Sequence, residues 1–131
     1  MDSLKSEDLL ISVDRSAPAY IRLDWTGRSN ARNSSDAIGP FFNQVLAEAA
    51  WPGRQIEMHF EALEHFNSST IATLIHIINQ ASKAKVALRI HYDAELKWQA
   101  LSFDALKRAV QSFGHGEKPN VEFLQSPAQK R

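Results

Sequence analysis

The stretch Ile56-Glu57-Met58-His59-Phe60-Glu61-Ala62-Leu63-Glu64-His65-Phe66-Asn67-Ser68-Ser69-Thr70 decides the fold of this 131-residue chain. Its first part alternates. Ile56, Met58 and Phe60 fall on one face of an extended strand, and Glu57, His59 and Glu61 fall on the other. Its last residues are small and polar, and an apolar stripe at helical spacing follows, with Ile71, Leu74, Ile75 and Ile78 inward. A strand over 56–63 therefore passes into a helix over about 69–83. Ser68 and Ser69 stand where a hydroxyl would cap the free N–H groups of that helix.

Outward from this stretch the same alternation recurs. Ile21, Leu23 and Trp25 alternate with Tyr20, Arg22 and Asp24, and Val86, Leu88 and Ile90 with Arg89, His91 and Asp93. Residues 9–13 and 20–25 read as a hairpin joined through Asp14-Arg15-Ser16-Ala17-Pro18. A polar loop over 26–35 leads to a helix ending near residue 50, with Ile38, Phe41, Phe42, Val45 and Ala49 as its stripe. Pro40 is tolerable there only near the first turn. Pro52-Gly53 breaks the chain. Leu96, Phe103, Leu106, Val110 and Phe113 mark a third helix, and 121–124 a short last strand.

Alternating strands and helices imply parallel strands with right-handed crossovers. A sheet covered on both faces would read as continuous hydrophobic runs, whereas each strand here has one polar face. The predicted fold is an α/β, two-layer open βα superhelix: a mostly parallel sheet with an N-terminal antiparallel hairpin and helices on one face. With 44% hydrophobic residues, positions 9–124 suffice for a single domain. Residues 1–8 and 125–131 are polar and aperiodic, and read as a flexible N-terminus and a flexible C-terminal tail.

Fifteen basic residues balance fifteen acidic ones, which argues against binding nucleic acid through excess positive charge. The absence of cysteine removes disulfides, thiol nucleophiles and thiolate metal sites, and fits a cytoplasmic address. No apolar run approaches the roughly 20 residues of a membrane span.

Strands ending near Trp25, Leu63 and Tyr92 deliver their loops to one rim, where open α/β sheets bind ligands and partners. Ser68 and Ser69 should lie there beside Gly27-Arg28-Ser29-Asn30-Ala31-Arg32 and residues 93–97. Arg28 and Arg32 could meet an anion, although the loop lacks the Gly-Lys-Ser/Thr ending of a phosphate-binding loop. Lys97 and Trp98 open the third helix, and Trp98 is a candidate partner anchor. His59 and His91 share the polar sheet face with Glu57 and Glu61. These are metal-ligating residue types, but they show no compact ligand spacing. A hydrated mixed-charge face is the preferred reading, with no metal and no cofactor assigned. Ser68 has no Gly-X-Ser-X-Gly elbow around it, so hydrolytic chemistry is disfavoured. A small metal-dependent enzyme using His59, His91 and carboxylates is the minor alternative.

The element order, together with Asn67-Ser68-Ser69-Thr70, resembles the STAS family, the fold of bacterial anti-sigma factor antagonists. In that family the third strand ends in Asp-Ser-Ser/Thr-Gly, and the first serine is the phosphoacceptor. The chain is also similar to STAS-like regulatory phosphoproteins of biofilm signalling, which carry Phe-Asn-Thr-Ser. Phe66-Asn67-Ser68-Ser69 matches that form more closely. The resemblance covers roughly residues 9–124 and implies a non-catalytic regulatory protein of a bacterial partner-switching pathway.

It further implies that a serine/threonine protein kinase of the histidine-kinase-like ATPase type phosphorylates Ser68, with Ser69 the alternative acceptor. A metal-dependent protein phosphatase would reverse this. The unmodified form would bind an effector, an anti-sigma factor or a nucleotide cyclase, through Asn67, Thr70, Arg28, Arg32, Lys97 and Trp98. Neither nucleic acid nor membrane is among the implied partners. Asn67 stands where the family has Asp, and Thr70 where it has Gly, adding a branched side chain on the face a partner would approach. Without the switch, the same fold would serve as a constitutive scaffold or small-ligand-binding domain.

Overall fold

A computed structural model describes residues 3–50, 53–112 and 121–125. The strands are β1 (Ser3–Ser6), β2 (Leu9–Asp14), β3 (Tyr20–Ser29), β4 (Gln55–His59), β5 (Leu63–Phe66), β6 (Leu88–Tyr92) and β7 (Val121–Gln125). The helices are α1 (Ser34–Ala50), α2 (Ser68–Lys83) and α3 (Lys97–Ser112). They form one sheet in the order β1-β2-β3-β4-β6-β7, with β5 paired to β3 off that path. The β1–β2 and β2–β3 pairs are antiparallel, and the remaining pairs are parallel. Strand order advances in one direction, so successive crossovers place the helices on the same side. Ile38, Phe42 and Val45 of α1, Leu74 and Ile78 of α2, and Phe103, Leu106 and Val110 of α3 all join the core that Leu23, Met58 and Ile90 form on the sheet. The two-layer α/β fold expected from the strand patterns is the fold observed.

Several boundaries differ for physical reasons. Ser3–Ser6, part of the segment read as loose, is an edge strand whose Leu4 sits opposite Ile11. The expected strand over 56–63 is two strands. After β4 the chain jogs through a turn closed by the Leu63 N–H donating to the Phe60 carbonyl at 2.9 Å, and β5 then pairs with the far half of β3. That far half lies inside the expected 26–35 loop, because β3 runs on to Ser29. Gly27 allows the continuation. Its φ is +84°, and a Cβ there would lie 2.0 Å from the Asp8 carbonyl oxygen.

Pro40 lies deeper in α1 than its first turn, and Gly39 before it has no Cβ to crowd the proline ring. The inward face of α2 is rotated from the expected stripe: Thr70, Thr73, Leu74, Ile77 and Ile78 are buried, while Ile71 and Ile75 are only partly so. Leu96 precedes α3 and is exposed. Phe113, Pro52 and residues 126–131 lie outside the described residues. Among the described residues no helix is long and apolar enough to cross a membrane.

Candidate functional site

The carboxyl ends of β3, β5 and β6 share one rim of the sheet, and α1, α2 and α3 follow from it. The N-cap of α2 is Asn67 and not either serine. Its backbone is extended (φ −100°, ψ 179°), and its Oδ1 accepts from the Thr70 N–H at 3.0 Å. The other end of the amide is also used, since Nδ2 donates to the Ala31 carbonyl at 3.0 Å. An aspartate could cap the helix equally well but could not make that second bond. Asn67 therefore ties the start of α2 to the loop ahead of α1.

Behind the cap lies a sealed set of hydroxyls. Thr70 is fully buried, with its Oγ1 2.6 Å from Ser29 Oγ, 3.2 Å from Ser34 Oγ and 2.9 Å from Asn67 Oδ1. Ser69 Oγ accepts twice from Ser34, from the N–H at 3.1 Å and from the hydroxyl at 2.9 Å. With that proton committed, a consistent assignment has Ser29 donating to Thr70 and Thr70 donating to Asn67. The network is neutral and joins α1 to α2.

Ser68 stands apart from it. Its side chain is exposed and has no hydrogen-bond partner among the described residues. It occupies the first helical position, with its N–H and that of Ser69 ahead of the first intrahelical bonds.

No family model matches the chain, and no curated relative does. Among solved structures it is similar to apo-SiaC from Pseudomonas aeruginosa at 21% identity and a TM-score of 0.64, covering 97% of this chain and 100% of that one. It is also similar to the anti-sigma factor antagonist SpoIIAA in its unphosphorylated form, at 12% identity and a TM-score of 0.53, covering 91% and 89%. A third, from the DUF3478 family of Shewanella loihica PV-4, has a SpoIIAA-like fold and matches at 14% identity and a TM-score of 0.57 over 95% and 90%. The chain has the STAS-like fold.

Within this STAS-like fold the other expected rim residues divide. Trp98 packs edge-on against Phe66 at 5.3 Å and lies 6.2 Å from the His65 ring, so it is partly packing and partly surface. Arg28 is exposed, with its Nε 3.5 Å from Glu64. Arg32 and Lys97 are exposed and unbonded among the described residues. No hydrogen bond or ion pair among the described residues links Arg28, Arg32 or Lys97 to Ser68. Thr70 was expected on the partner-facing surface; its burial corrects that, because its methyl and hydroxyl both point into the domain.

Gln99 was missed. It is fully buried, donates to the Phe60 carbonyl at 2.7 Å and the Leu63 carbonyl at 3.2 Å, and accepts from the Asp93 N–H at 2.8 Å. It thereby holds the β4–β5 jog against α3. Its signal was its phase, since 99, 103, 106 and 110 form one helical stripe.

The uncovered sheet face carries the charged side chains in register. Arg22, Glu57, Arg89 and Glu122 lie side by side across β3, β4, β6 and β7, and Asp24, His59 and His91 form the neighbouring row. The His59 and His91 rings stack at 4.2 Å, only 6° from parallel. Burial pulls the pKa of His59 down, but hydrogen bonds to Glu61 and Glu57 together outweigh it and hold it above its ordinary value. Burial, with His59 stacked alongside, pushes His91 below its ordinary value.

Proposed function

We propose that the protein is a non-catalytic regulatory domain whose binding to a partner protein is switched by reversible phosphorylation of Ser68. The observation that carries this reading is the contrast between the two adjacent serines. Ser69 has its oxygen committed to Ser34, whereas Ser68 is exposed and unbonded on the first turn of α2. A kinase using ATP would transfer the γ-phosphoryl group to Ser68 Oγ, the serine proton passing to a base of the kinase and ADP leaving.

The product adds roughly −1.5 to −2 charges at the positive end of a helix, where the fold tolerates them. A docked partner with acidic groups would be repelled. The domain would thus change affinity without unfolding. The STAS-like fold and the likeness to an anti-sigma factor antagonist and to SiaC support a role in protein partner switching. On this reading a histidine-kinase-like ATPase would act as the serine kinase and a metal-dependent phosphatase would oppose it. The effector would be an anti-sigma factor or a nucleotide cyclase, approached over Asn67, Trp98 and the exposed Arg28, Arg32 and Lys97. The setting is the cytoplasm of a bacterium.

Intact-mass and phosphopeptide mass spectrometry of protein from growing and stressed native cells tests the proposal. The expected result is one phosphate on Ser68, with occupancy changing between conditions and none in a Ser68→Ala strain. An unmodified peptide in every condition, or phosphate on Ser69, would overturn it.

A further inference from the structure

The open sheet face holds a cluster that the switch does not use. Glu57 and His59 are two residues apart on β4 and so share its outer side, and His91 is the register partner of His59 on β6. Both imidazoles bring the same nitrogen to the same carboxylate oxygen. Glu57 Oε1 lies 3.3 Å from His59 Nε2 and 3.8 Å from His91 Nε2. One ligand atom from each residue falls within 4.8 Å of the others. Side-chain exposures of 13%, 11% and 21% for Glu57, His59 and His91 are low for a face that none of the described helices covers.

We propose that Glu57, His59 and His91 form a binding site for a divalent transition-metal ion of the zinc class, with at least one coordination position open to the solvent side.

Four observations converge on it. First, donor spacing fits. Zinc bonds of about 2.0–2.1 Å in a tetrahedral arrangement put neighbouring donors about 3.3 Å apart. The Glu57–His59 pair already has that spacing. His91 Nε2, 3.8 Å from the same oxygen, reaches the ion by turning its ring out of the stack with His59, since two parallel rings cannot both hold one ion in their planes. Second, His91 Nε2 is buried without a hydrogen-bond partner among the described residues, and a buried polar atom left so needs an explanation.

Third, the outer arrangement is one that orients a ligating histidine. Glu61 Oε2 lies 3.4 Å from His59 Nδ1, which directs Nε2 toward the cluster, and Arg89 lies 3.6 Å from the other Glu57 oxygen, leaving Oε1 to face the imidazoles. Fourth, the local charge suits a dication. Asp24, Glu57, Glu61 and Glu122 surround the cluster, against the guanidinium groups of Arg22 and Arg89, and those two are already engaged by Asp24, Glu57 and Glu122. An ion-pair lattice alone gives His59 two hydrogen bonds but His91 Nε2 only a 3.8 Å contact with Glu57. A metal ion uses both imidazoles.

The test is calorimetric titration of the chelator-treated, tag-free full chain with zinc chloride, with cobalt(II) absorption as a second readout. One zinc per chain is expected. His59→Ala and His91→Ala should each abolish the stoichiometric uptake, and Glu61→Gln should weaken it roughly 10- to 100-fold. His76→Ala, on the exposed side of α2, should change nothing. Because the ladder variants could disturb folding, side-chain histidine NMR of the unmutated protein gives an independent reading. Zinc should shift the His59 and His91 resonances and leave His65 and His76 in place. Absence of uptake with zinc in large excess, uptake that survives His91→Ala, or shifts confined to the other histidines would overturn the proposal. None of these results bears on Ser68, so the two proposals fail separately.

Discussion

The hydroxyl network at the rim and the charged lattice on the open sheet are both polar clusters, one set at the helix starts and one along the strands, and they are held by different physics. Ser29, Ser34 and Thr70 are neutral and at most 2% exposed, and each hydroxyl proton can be assigned an acceptor: Ser29 donates to Thr70, Thr70 to Asn67 and Ser34 to Ser69. Nothing there must be ionised, so sealing it from water carries only the cost of satisfying each donor and acceptor. The lattice instead carries full charges and keeps partial contact with water, as a set of ions must to limit its desolvation cost. A neutral network can therefore act as a rigid rivet between α1 and α2. A charged one stays available to an outside ligand.

If that distinction holds, substitutions at the buried polar positions should weigh far more than those on the open face. The largest effect belongs to Gln99→Leu, which strips partners from two carbonyls and the Asp93 N–H inside the core. Leaving buried groups unpaired costs about 1–3 kcal/mol each, partly relieved by other contacts, so a loss near 3 kcal/mol is expected in denaturant unfolding. Next comes Thr70→Val, equal in shape but without the hydroxyl, at about 2 kcal/mol, while Thr70→Ser should recover most of it. A loss for Ser with Val unchanged would show that the methyl matters and the network does not.

The adjacent serines sharpen the comparison within a single turn. Ser69→Glu must break both bonds to Ser34 and should cost about 1–2 kcal/mol. Ser68→Glu should stay within about 0.5 kcal/mol of the parent, helped by the positive helix end. The reverse order in thermal melts would remove the structural reason for preferring Ser68. On the open face Arg22→Gln, which gives up an ion pair to Asp24 with both side chains more than a third exposed, should cost about 0.5 kcal/mol or less and should lose that effect in salt. A cost comparable to Thr70→Val would break the distinction outright.

How far each region could be read from sequence follows the same division. The sheet face was legible because alternation within each strand is local. Arg22, Glu57, His59, Arg89 and His91 all face the side that their parity predicts. What parity cannot supply is the cross-strand register that stacks His59 on His91. The break of β4 from β5 also left a trace, since Phe60 and Leu63 are both buried yet out of phase. Ser3–Ser6 left none, because an edge strand of four residues pairs on one side only and needs little apolar content. The rim was legible as a place but not in its roles. Asn67, Ser68, Ser69 and Thr70 are all plausible caps locally, and the choice among them is made by Ser29, Ala31 and Ser34, more than thirty residues away in sequence.

The smallest expected effect is in acid, and it separates the regions by titration instead of mutation. Hydroxyls do not ionise in the folding range, so the hydroxyl network should contribute no pH dependence. Charged pairs should, and the pair between the hairpin and α1 has a definite sign. Arg15 reaches Glu48 through two hydrogen bonds, and those bonds hold the Glu48 carboxyl below its ordinary value against the opposing effect of burial. A carboxyl whose pKa is lower in the folded state binds fewer protons there than in the unfolded chain, so its contribution is present above the ordinary value near 4.5. That contribution disappears as pH falls through the folded value. Glu48→Gln should therefore flatten the acid limb of the stability profile slightly and leave the neutral region parallel to the parent, while Thr70→Val should lower the whole profile by a constant. A Thr70→Val loss that varied with pH would mean that the network is coupled to an ionising group, and the neutral rivet would have to be given up.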